Sequence, residues 1–146
     1  MNMIVKIDYK KLIKSAKEPK INYGDACFDF YCPQDVTIPA FSMGVMVPTG
    51  LAFEIPYGYH MKLFMRSSYG AYSPLRLSNC VGIIDSSYRG EVKGLFDNLS
   101  NKDYVIKAGE RFMQGLIEKN IQVAFWNTDH FSETERGEGG FGSTGK

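Results

Sequence analysis

Short apolar or alternating runs, broken by turn residues, fill most of the chain. "VTIP" stops at Pro39, "MGVMVPTGLAFEIP" carries Pro48-Thr49-Gly50, and Pro56-Tyr57-Gly58 follows. "YHMKLFMR", "CVGIID", "VKGLFDN", "DYVIKAGERFMQGLIEK" and "QVAFW" continue the pattern. Val, Ile, Phe and Tyr dominate these runs, and turn signals recur about every 8–12 residues. Gly and Pro punctuate too often for long helices. The pattern predicts an all-β domain, a sandwich or barrel of short strands. One short helix is expected after Ser67 and Ser68, through "YGAYSP". The early stretch "YKKLIKSAK" fits a second helix or a strand and loop about equally well.

Within this pattern "NCVGIIDSSYRGEVKGLF", residues 79 to 96, reads as a β-hairpin. Its tip carries a carboxylate, Asp85, and a phenol, Tyr88, between two apolar runs. The last eleven residues, "RGEGGFGSTGK", contain five of the fifteen glycines. Such a segment cannot bury enough apolar area to order itself. It reads either as a frayed tail or as a flap whose backbone N–H groups and hydroxyls donate to phosphates. The division expected is a single β domain over residues 1–135 and an arm over 136–146. "GFGSTGK" fits the start of a Walker-type phosphate loop, but the chain stops before the Ser/Thr and the helix that such a loop requires, so the match is spurious.

Composition narrows the picture without deciding it. The chain's 146 residues make one ordinary domain, and its formal charge of +1 gives no field for wrapping nucleic acid or adsorbing to a membrane. Any anionic ligand must therefore be met by local groups. No apolar stretch approaches the ~20 residues of a membrane span. The N-terminal stretch mixes charge through its apolar positions and does not read as a signal peptide. Cys27, Cys32 and Cys80 form an odd set with no CxxC, which points to reduced thiols and a cytoplasmic setting, that of a host cell if the source is viral. His60 and His130 are too distant in sequence from the cysteines to suggest a zinc site.

Five short stretches in fixed order resemble the homotrimeric dUTPase family: "DACFDFY", "RSS" at Arg66 to Ser68, "NCVGIIDSSYRGEV", "AGERFMQ" and "RGEGGFGSTG". The third and fifth are long and carry most of the resemblance, which runs from about Ala26 to the end. Cys27, Phe30 and the pair Phe112-Met113 depart from the family pattern at packing positions. The resemblance implies a small β-barrel or jelly-roll-like fold, the β-clip of dUTPases. It also implies Mg2+-dependent hydrolysis of dUTP to dUMP and pyrophosphate, which limits uracil in DNA and supplies dUMP.

The resemblance further assigns roles to residues. Main-chain groups of the hairpin, with Asn79, Gly82 and Ile84, pair with the uracil edge. Cytosine would leave buried polar groups unpaired there, a mismatch that such sites reject by ~10⁴–10⁵. Thymine differs by one methyl group, so close backbone approach at Gly82 must exclude it. The Tyr88 ring against the deoxyribose leaves no room for a 2′-hydroxyl. Asp85 holds and polarises the attacking water, and an unperturbed Asp, with a pKa near 3.9, is ionised at neutral pH. Arg66, Ser67, Ser68 and Gln114 face the phosphates, and Asp29 meets Mg2+ through water. From the arm, Arg136 reaches the γ-phosphate, Phe141 stacks on uracil, and Gly142, Ser143 and Thr144 donate to phosphates. Arg111 reads as a structural ion-pair partner outside the site. The family also implies a homotrimer with shared active sites. Two other functions compete: a dCTP deaminase-like enzyme, and a nucleotide-dependent interaction protein with a regulatory partner that reads the arm.

Overall fold

The computed structural model describes residues 4–140. In chain order its elements are β1 (Asp8–Lys11), β2 (Phe28–Tyr31), β3 (Val36–Ile38), β4 (Val45–Glu54), β5 (Tyr59–Met65), α1 (Ser67–Tyr72), β6 (Leu75–Leu77), β7 (Gly82–Asp85), β8 (Glu91–Asn98), β9 (Tyr104–Ile106) and β10 (Arg111–Lys119). The predicted short helix is α1. The early stretch "YKKLIKSAK" resolves as strand and loop: β1 pairs along β4 from Asp8 with Glu54 to Lys11 with Leu51. Ala16, in the loop that follows, is buried.

Period-two alternation builds the strands. In β8, Val92, Gly94, Phe96 and Asn98 point inward, while Glu91, Lys93, Leu95 and Asp97 face outward or lie part-buried. Two antiparallel four-stranded sheets result, ordered β1-β4-β8-β6 and β2-β10-β5-β7, with β3-β9 as a separate pair. Their inner faces share one core. Phe30 of the second sheet meets Phe53 of the first edge-on at 5.8 Å, and Phe96 meets Phe112 across the same gap at 5.8 Å.

The jelly-roll-like, all-β expectation holds in this layered form, but no closed barrel forms among the described residues. The reason lies in β7 and β8. They were expected to pair as a hairpin, yet they belong to different sheets. Both edges of β8 are already taken, by β4 and β6, so β7 pairs with β5 instead. The ribbon therefore splays, and β7 is left as an edge strand. Beyond β10 the chain forms no further strand or helix among the described residues, and every residue from 121 to 138 is exposed. Exposure thus begins well before residue 136, where the arm was expected to start.

Candidate active site

One cluster of site residues forms where β2, β10 and β5 run side by side. Gln114 on β10 is the Cα partner of Asp29 on one side and of Phe64 on the other. Asp29 and Tyr31 share the outer face of β2, because Phe30 between them is buried. The Asp29 carboxylate is held from two directions. Arg66 Nε lies 2.9 Å from Oδ1 and Arg111 Nη1 lies 3.1 Å from Oδ2. At 20% side-chain exposure it is shielded enough for these pairs to count. Arg111 is an ion-pair partner, as the sequence suggested, but its partner is Asp29 of the expected site and not a residue outside it. Asp29 has a second task that the sequence did not suggest: it fixes both guanidinium groups. Gln114 Nε2 donates to the carbonyl of Met65 at 3.1 Å, so one amide hydrogen props the start of the Arg66 loop.

Next comes α1, which carries Ser67 and Ser68. Tyr69 is its buried residue, and the Tyr69 hydroxyl donates to Glu110 Oε2 at 2.7 Å. Burial, then the bond to the Glu110 carboxylate, push the phenol well above its usual range, so it stays protonated as a donor. Sequence reasoning passed over both residues. Forty-one positions separate them, and nothing local signals the contact.

The second cluster is the splayed ribbon. A cavity of about 200 Å³ opens between its halves, with Asn79, Gly82 and Ile84 on one wall and Lys93 and Leu95 on the other, over Met113. Before it, Cys80 takes a left-handed conformation (φ 58°), and the Val81 N–H donates to the Asn79 carbonyl at 2.6 Å. A Cβ on Gly82 would lie 3.0 Å from Leu63 Cδ1, so its bareness also serves packing against its own cross-strand partner. At the tip, the Tyr88 N–H donates to the Asp85 carbonyl at 3.1 Å and the Tyr88 hydroxyl donates to the Glu91 carbonyl at 3.0 Å. The ring folds back over Gly90, where any Cβ would collide with the phenol. Asp85 is exposed beside it. A hydrogen-bonded turn thus places an aromatic face and a carboxylate just beyond the stretch of β7 that lines the cavity.

The dUTPase family model matches residues 15–145. The chain belongs to the dUTPase family. It is 35% identical over 142 residues to the deoxyuridine 5′-triphosphate nucleotidohydrolase of Helicobacter pylori strain P12, an alignment that covers 97% of each chain. With the enzyme of the same name from Nautilia profundicola it shares 40% over 143 residues, covering 97% of this chain and all of that one. Its fold superposes on the dUTPase of Staphylococcus bacteriophage 80alpha, solved with dUPNHPP, with a TM-score of 0.87 at 26% identity over 97% of this chain and 99% of that one.

For a dUTPase chain, the distribution of the expected residues is uneven. Asp29, Arg66, Ser67, Ser68 and Gln114 come together, as do Asn79, Gly82, Ile84, Asp85 and Tyr88. Arg136 joins neither group in its own chain: it is exposed and its Nε donates to Gly139 O at 2.8 Å. Phe141, Gly142, Ser143 and Thr144 lie outside the described residues. No three His, Cys, Asp or Glu side chains converge on a metal site among the described residues. A lone carboxylate can serve Mg2+ only where phosphate oxygens and water hold the ion and the carboxylate meets its water shell. Asp29 fits, since each of its oxygens keeps lone-pair capacity beyond its single guanidinium contact.

Proposed function

We propose that the chain hydrolyses dUTP to dUMP and pyrophosphate by attack of water on the α-phosphorus, with Asp85 as general base. The observation that carries this reading is the slot between β7 and β8, with Asp85 ending the β7 strand that lines it and Tyr88 held in the turn that follows. The free edge of β7 offers main-chain donors and acceptors to a uracil edge as a neighbouring strand would. Tyr88, fixed by its own turn, presents a flat face to the sugar. Asp85 accepts the proton of the attacking water. The new bond to the α-phosphorus forms as the bond to the bridging oxygen breaks, and pyrophosphate departs. A placed base is worth ~10²–10⁴ in rate, so most of the acceleration must come from charge stabilisation around the phosphates. Arg66, Ser67 and Ser68 supply cationic and hydroxyl donors for it, and Arg136 and the residues after it would complete the enclosure. Magnesium bound with the triphosphate would supply further charge neutralisation, with Asp29 holding one of its waters.

In this reading the two clusters of one chain serve different nucleotides. Asp85 is the Cα partner of His60, while Arg66 lies six positions on, just past the end of β5. At about 3.3 Å per residue this is about 20 Å, farther than a triphosphate extends beyond its α-phosphorus. With the sugar at Tyr88, the phosphates also leave the slot at the Asp85 end, away from the chain's own Arg66. This separation supports a homotrimer in which Asp85 of one copy faces Arg66 of another. The arm supports it too. Ile121, Val123, Phe125, Trp126 and Phe131 are each at least 66% exposed, and a strip of large apolar side chains implies a surface on another copy.

Pyrophosphate release measured across dUTP and the four standard deoxynucleotides tests the proposal. Release is expected from dUTP alone. Asp85→Asn is expected to lower kcat by about 10²–10⁴-fold while dUTP binding, measured by calorimetry, is retained. Wild-type turnover in that variant would remove Asp85 from the base role.

A further inference from the structure

We propose that Tyr69 is a positioning residue for triphosphate binding: its hydrogen bond to Glu110 sets the place of the Arg66–Ser68 loop. The inference rests on the reading of that loop as the phosphate seat.

Nothing in α1 itself would fix Ser67 and Ser68. The helix has six residues, no side-chain cap at Arg66, no acidic residue in its first turn and no basic residue in its last. A helix this short does not hold together alone. Its buried side chain is Tyr69, whose ring packs edge-on against Tyr104 at 6.2 Å and whose hydroxyl reaches Glu110 Oε2 at 2.7 Å. That same carboxylate oxygen accepts the Lys107 N–H at 3.1 Å, and the Glu110 carbonyl accepts the Cys32 N–H at 2.8 Å. Glu110 is therefore fixed by its own turn and by the chain at the end of β2. It also directly precedes Arg111.

The contacts close a ring: Arg111 to Asp29, Asp29 to Arg66, Arg66 into α1, and Tyr69 back to Glu110. Packing of the Tyr69 ring alone would hold the helix against the core. The hydroxyl adds direction, because a bond to a charged acceptor fixes rotation and depth as ring packing does not. The groups so fixed are those read as facing the phosphate chain, not the base. Tyr69 should accordingly affect recognition of the triphosphate and leave recognition of the nucleoside monophosphate alone.

Tyr69→Phe keeps the ring and removes the bond. In the full-length protein it is expected to raise the KM for dUTP and lower its kcat, together cutting kcat/KM by about tenfold, and to leave inhibition by dUMP unchanged. Glu110→Ala should reproduce this effect, the double variant should be no worse than either single one, and Glu110→Gln, which keeps an acceptor, should restore most of the affinity. An unchanged kcat/KM in Tyr69→Phe would overturn the inference, as would an equal weakening of dUTP and dUMP. Arg66→Gln and Ser67→Ala separate the two levels. If they leave kcat/KM untouched, the phosphate-seat reading itself fails; if they lower it while Tyr69→Phe does not, only the positioning role fails. Melting curves identify any variant that loses its fold, and Glu110→Gln then carries the comparison alone, with an unchanged ratio of dUTP to dUMP affinity expected and a collapsed one contradicting the proposal.

Discussion

Gly90 shows how one residue without a side chain can serve another's chemistry. The Tyr88 ring occupies the space that a Cβ at position 90 would need, and its hydroxyl is tied to Glu91. Gly90→Ala should therefore push the ring off its seat with little damage elsewhere, since the site is on an exposed turn. The expected result is a fall of at least about tenfold in the preference for dUTP over UTP, read as the ratio of kcat/KM values. An unchanged ratio would mean that the ring does not guard the 2′ position. At this scale the sequence was informative about residue types and silent about pairings. Asp29 and Arg66 were both read as phosphate-end residues, but their contact at 2.9 Å could not be read, because β10 lies between their strands and no local pattern encodes that order. Arg111 was legible as an ion-pair partner for a plainer reason: its alternation places it outward from the buried Phe112.

The strands themselves could be read because alternation survives in each, most cleanly along β8. Their partners could not. Two apolar runs joined by a tight turn look like a paired hairpin from sequence, and only the occupation of both β8 edges forces β7 onto the other sheet. That misreading concerned the feature that makes the slot, since a paired ribbon would spend its main-chain groups on itself. The junction of β2, α1 and β10 adds a pH dependence at the same scale. The Cys32 thiol, 1% exposed, is pushed up to about 11, chiefly by burial, and Tyr69 is raised as well. A raised folded-state pKa means stabilisation that is full below the unfolded value of 9.0 for the thiol and lost as pH climbs through the folded value. The thiol should therefore make stability decline between about pH 9 and 11, by up to about 1.4 kcal/mol per pH unit, and Tyr69 adds to the decline only above its unfolded value of 10.0. Urea titrations of Cys32→Ala across that window should show a shallower decline than wild type, even if the variant starts lower. Parallel slopes would show that the thiol does not titrate as its burial implies.

Across the whole molecule the decisive quantity is the separation of about 20 Å between Asp85 and Arg66 in one chain. Residue spacing in the sequence could not show it, because both residues stand close to β5 in the fold and only the register reveals that they lie toward opposite ends. The exposed apolar strip from Ile121 to Phe131 was equally hidden: "QVAFW" reads as one more buried strand until no strand of its own chain is found beside it among the described residues. Both features fit the proposed trimer. Asp85→Asn and Arg66→Gln proteins, each strongly impaired alone, can be unfolded together in equal amounts and refolded. If every site takes its acid from one copy and its arginine from another, about a quarter of the sites regain both groups and activity recovers toward that fraction. Recovery to that level is the predicted result; a mixture no more active than its two components would place Asp85 and Arg66 of the same chain on the same nucleotide, and the shared site would be wrong.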